Sequence, residues 1–159
     1  MADAANVKSE PLALDCYIEY PHHIEIPLKA HITGKFYEGD GLEPTTIVRC
    51  GTQCYVTVRI DFTGCELARL LCLKWCIKVA FESCGPGSEF VGGNRIVEQQ
   101  VCSASYVEVT IPVSSPDECD KCGTVYFMCV TVTARDMCNK PVPFGGYCKG
   151  EQIMLYPGD

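Results

Sequence analysis

Most of the chemistry this chain can offer rests on sulfur. The stretch DECDKCGTVYFMC, residues 117–129, sets Cys119 and Cys122 in a C-x-x-C pair just ahead of an apolar run that holds Cys129. Such a pair can ligate a metal, cycle between dithiol and disulfide, or staple a turn. If the fold brings Cys50 and Cys84 to it, four thiolates form the tetrahedral set that structural zinc prefers. Cys50, Cys84, Cys119 and Cys122 are therefore the candidate metal ligands, and zinc is the alternative to having no cofactor. The spacing lacks a second close pair, because alternation along the following strand points Cys54 of Cys50-x-x-x-Cys54 into a core. A redox role needs a stabilised thiolate. Here Asp117, Glu118 and Asp120 outnumber the single Lys121 and disfavour that form.

Other residue types spell out no catalytic set. Of three histidines, His22 and His23 are adjacent, so on a strand they point to opposite faces and cannot easily share an ion. His31 falls opposite Ile32 and reads as exposed, and nothing in the sequence pairs it with a cysteine nucleophile such as Cys16. GPGSEFVGG lacks the lysine of a phosphate-binding loop and leads into no helix. The acidic residues Asp15, Glu19, Glu25, Glu38, Asp40 and Glu43 do not form the alternating Asp pattern of a calcium loop. No catalytic residue is assigned. Binding is preferred over catalysis, and a small thiol-dependent enzyme stays as a further alternative.

Composition narrows the partners. A net charge of −7, with thirteen Lys and Arg spread along the chain, argues against nucleic acid. No run is long enough for a membrane span, and MADAANVKSEPLAL does not read as a leader. Thirteen cysteines in 159 residues, about 8%, approach the density of a disulfide scaffold. The expected location is cytoplasmic, where those sulfurs stay thiols, with a secreted domain that has lost its leader as the alternative.

These side chains must be held by strands. At 159 residues the chain suits one domain, with residues 1–15 a loose tail and residues 16–159 the folded part. Alternation with β-branched residues marks seven strands: residues 23–33, 54–62, 71–82, 95–101, 105–113, 123–134 and 151–156. The second buries Cys54, Val56, Val58, Ile60 and Phe62. The third buries Leu71, Leu73, Trp75, Ile77, Val79 and Phe81, and turns Cys72 and Cys76 outward. Residues 34–44 and 84–94 read as loops from their glycines, with an extra strand possible at TTIVRC. Thr63 and Glu66 are spaced as a capping box, so one short helix is expected between the second and third strands.

Seven short strands, a Trp in the third and a Tyr opening the sixth resemble the immunoglobulin-like antiparallel β-sandwich. The resemblance implies that Tyr126 closes the corner before the sixth strand, and that an inter-sheet cysteine pair would be Cys54 with Cys129. Alternation with Thr131 and Thr133 sets Cys129 outward and against that pair. The same topology would gather Cys50, Cys84, Cys119 and Cys122 at one end, with Cys65, Cys72, Cys102, Cys138 and Cys148 at the other. Under oxidising conditions Cys138 would then bridge Cys148. The sixth strand is apolar on both faces, which an exposed sheet does not require. The function expected is a non-enzymatic protein-interaction or self-assembly module.

Overall fold

The computed structural model describes residues 16–17, 29–39, 43–63, 72–85, 88–99 and 105–158. Among them all helical or extended structure is strand: β1 (Cys16–Tyr17), β2 (Lys29–Glu38), β3 (Ile47–Arg49), β4 (Gln53–Thr63), β5 (Lys74–Ser83), β6 (Phe90–Glu98), β7 (Tyr106–Ser114), β8 (Thr124–Arg135) and β9 (Pro141–Tyr156). They form two sheets, one of four strands in the order β1-β2-β4-β7 and one of five in the order β3-β9-β8-β5-β6. Neighbours run antiparallel except β3, which lies parallel to β9.

The core lies between the sheets and is built by period-two alternation. Cys54, Val56, Val58, Ile60 and Phe62 of β4 face Leu73, Trp75, Ile77, Val79 and Phe81 from just before β5 through its length, all of them buried. β8 adds Tyr126, Met128, Val130, Val132 and Ala134. Trp75 is 1% exposed, and its ring lies 5.6 Å from that of Phe62. Its indole N–H donates to Gln99 Oε1 at 3.1 Å, which satisfies the one polar atom that burial of a Trp brings inside.

Several boundaries differ from the sequence reading, for physical reasons. β2 continues through Gly34 to Glu38 where a turn was expected, because Phe36 keeps the inward parity of Ala30 and Ile32 and is itself buried. β6 starts at Phe90, inside the expected 84–94 loop. Its glycines mark close packing: a Cβ on Gly92 would stand 2.8 Å from the Phe81 ring, and one on Gly93 2.8 Å from Ile111. β6 pairs with β5 as a hairpin partner and forms an edge of the five-stranded sheet. β9 runs for sixteen residues, so PVPFGGYCKG is strand and not link, and Cys148 lies mid-strand opposite Val130. The extra strand at TTIVRC is β3. Thr63 ends β4, and the helix expected beyond it falls on residues 64–71, outside the described residues, as does the 1–15 tail.

Cys54 illustrates how burial sets chemistry in this core. Its thiol is pushed up to about 11, first by burial and then by the Glu38 carboxylate. The unfolded thiol, near 9, therefore ionises before the folded one does. Since the unfolded state loses its proton first, stability is intact below pH 9 and falls as pH rises from 9 towards 11. Cys54→Ala should flatten that alkaline slope in denaturant titrations between those two pH values; an unchanged slope would show that another group sets it.

Candidate functional site

The four candidate ligands do lie at one end of the sandwich. Cys50 follows β3, Cys119 and Cys122 lie in the β7–β8 link, and Cys84 follows β5, its backbone N–H donating to Val125 O at 2.9 Å. The link is anchored by Gly51 N–H donating to Pro116 O at 2.9 Å, and turned by Gly123, whose φ of 84° favours glycine. Within this group Cys50 and Cys119 are joined as a disulfide with Cα atoms 6.3 Å apart. Sulfurs bonded to each other offer no thiolate, and Cys84 and Cys122 are free and exposed. No group of three or more His, Cys, Asp or Glu side chains converges as a cation site among the described residues. The structure thus brings Cys50 and Cys119 together and leaves Cys84 and Cys122 apart from any such set.

The remaining cysteines correct one expectation and agree with another. Cys138 is free and exposed, whereas Cys148 is buried and disulfide-bonded, so the two are not bridged to each other. The reason is the length of β9, which carries Cys148 away from the Asp136–Lys140 turn where Cys138 sits. Cys54 and Cys129 are also both free. Met128 occupies the inward position on β8 and Cys129 the outward one, so the inter-sheet pair that the immunoglobulin resemblance implied has no geometry to form.

Cys129 is nonetheless only 3% exposed, because the outer face of the five-stranded sheet covers it. The Tyr147 hydroxyl lies 3.4 Å from both Cys129 Sγ and Glu82 Oε1. Lys149 Nζ donates to Glu82 Oε2 at 2.9 Å and sits 4.3 Å from the centre of the Phe127 ring. Burial raises the Cys129 thiol, and the contact with Cys129 pushes the Tyr147 phenol up to about 12. Both groups stay protonated at neutral pH, which is the opposite of what a cysteine nucleophile needs. Tyr147 and Lys149 lie in GGYCKG, whose glycines read as link. The inward parity of Val142, Phe144 and Cys148 was the available signal.

The two outer faces of the sandwich differ. On the four-stranded sheet Thr57 meets Thr110 at 3.1 Å, Arg59 bonds Asp61 at 2.9 Å, and the Arg59 guanidinium covers the Tyr106 ring at 3.7 Å. That face is polar and internally partnered. On the five-stranded sheet Ile47, Val91, Ile96, Tyr147, Met154 and Tyr156 all point outward, six of the eight large hydrophobic side chains left exposed among the described residues. Half-buried Cys76, Ala80 and Phe127 lie among them. Known protein-family models and curated proteins give no match to this chain.

Proposed function

We propose that this protein is a non-enzymatic self-assembly module on an immunoglobulin-like sandwich, and that the outer face of its five-stranded sheet is the contact surface. The observation that carries the reading is the asymmetry of the two outer faces. Most of the exposed large apolar side chains lie on one sheet, on β3, β9 and the β6 edge with the Lys149–Glu82 ion pair between them, and an excess of this kind suits a surface buried in an assembly. The occupant is a second copy of the chain. β6 is an edge strand free of proline, and it displays Val91 and Ile96 at 63% and 64% exposure. An edge of this kind is a template for a further strand, and two copies meeting there about a two-fold axis would extend the sheet and merge their apolar faces.

The raised Cys54 and Cys129 thiols argue against thiol catalysis at those two positions, since neither is poised as a thiolate. Sedimentation velocity over a concentration series tests the assembly. The wild-type chain should shift from monomer to dimer, and Ile96→Lys should stay monomeric while keeping its unfolding midpoint, because the side chain is exposed. A wild-type chain that remains monomeric at every concentration, or an Ile96→Lys variant that dimerises equally well, would overturn it.

A further inference from the structure

We infer that the cleft between the start of β6 and the β7–β8 link is a binding site for an organic cation bearing an alkylammonium or guanidinium group. It encloses about 630 Å³, room for such a group with several carbons of stem. Phe90 and Tyr126 line it edge to face with centroids 5.1 Å apart, and Phe90 is held in place by stacking on Phe81 at 4.5 Å. Glu89, Glu118 and Asp120 also line it, and no Lys, Arg or His does. None of these three carboxylates has an ion-pair partner among the described residues. The wall that carries Glu118 and Asp120 is tied down through Cys119 by its disulfide to Cys50.

A second feature, independent of the carboxylates, points to a ligand. Tyr126 is 5% exposed, yet its hydroxyl has no hydrogen-bond partner among the described residues. On the wall of a cleft, a hydroxyl that no described residue bonds is an acceptor that an incoming N–H can take. Aromatic rings attract cations, carboxylates bond them, and a chain of net charge −7 draws them in. An anion would meet three like charges and no donor side chain other than hydroxyls. The same chemistry could come from a free polyamine or from a Lys or Arg side chain of a protein.

The test is calorimetric titration of the full chain with spermidine, with a short acetylated and amidated peptide containing one arginine, and with an uncharged alcohol of matching length. Backbone amide NMR shifts locate the site. Saturable binding of either cation, with shifts clustered at Phe90, Asp120, Thr124 and Tyr126 and none from the alcohol, is the expected result. The tighter of the two cations identifies the source. Glu118→Gln with Asp120→Asn should weaken binding about tenfold or more, the size of a lost charge-assisted bond. Tyr126→Phe should weaken it a few-fold without lowering the unfolding midpoint, since no described residue bonds the hydroxyl. Failure of both cations to saturate, equal binding of the alcohol, or full affinity in the carboxylate variant would overturn the site. A Tyr126→Phe variant that loses stability, or keeps full affinity, would overturn the role of the hydroxyl.

Discussion

Replacing Trp75 by alanine should cost about 3 to 5 kcal/mol, a large share of the roughly 5 to 15 kcal/mol that keeps a domain folded. The side chain is 1% exposed, packs against Phe62, and lies on the inward face with Ile77 and Val79. Its removal leaves a cavity between two sheets that are each tied into several strands, and such a site collapses little. It also removes the donor that meets Gln99 Oε1. Trp75→Phe separates the two effects, because it keeps most of the packing and loses only the N–H; it should cost well under half as much. Urea unfolding measures both. The chain holds one Trp, so native emission reports on this position directly. Emission at the wavelength of a water-exposed indole, or a loss below about 1 kcal/mol in Trp75→Ala, would show that the ring is not packed between the sheets.

Alternation made the middle of the sandwich legible. β4 and the run into β5 each bury every second residue, and each inward side chain read from the sequence that falls among the described residues is buried in the structure. Legibility fails where glycine reads as loop. Gly92 and Gly93 admit the Phe81 ring and Ile111, and Gly145 stands where a Cβ would come within 3.1 Å of Val132 O. In all three places glycine marks close approach inside a sheet. That error hid the start of β6 and the first half of β9. With them went the cleft beside Phe90 and the cover that Tyr147 lays over Cys129. These features depend on which strands become neighbours, and period-two patterning carries no such information. The C-x-x-C pair drew attention to the right end of the fold. Which sulfur meets which is set by Cα separation in three dimensions, and spacing along the chain gave Cys119 no reason to choose Cys50 over Cys122.

Loss of the Cys50–Cys119 disulfide should be the second large effect. The bond spans a sequence separation of 69 residues, and closing a loop of that length removes enough freedom from the unfolded chain to stabilise the fold by about 4 kcal/mol. It also joins β3, which has only three residues, to the link that carries Asp117 to Lys121. The double variant Cys50→Ser, Cys119→Ser isolates this bond better than a reductant, which would reach the Cys148 disulfide as well. Its unfolding free energy in urea should fall by about 2 to 5 kcal/mol. Spectral change in the native baseline should stay small, because both sulfurs lie at one end and away from Trp75. The same experiment decides between the two states open to these cysteines. If they act as a disulfide, a chelator leaves the wild-type midpoint where it was. Under the zinc reading of Cys50, Cys84, Cys119 and Cys122, chelation would lower that midpoint, and Cys84→Ser or Cys122→Ser would destabilise as much as loss of Cys50 does. With Cys84 and Cys122 exposed and free in the structure, their single replacements should instead change stability by no more than about 0.5 kcal/mol.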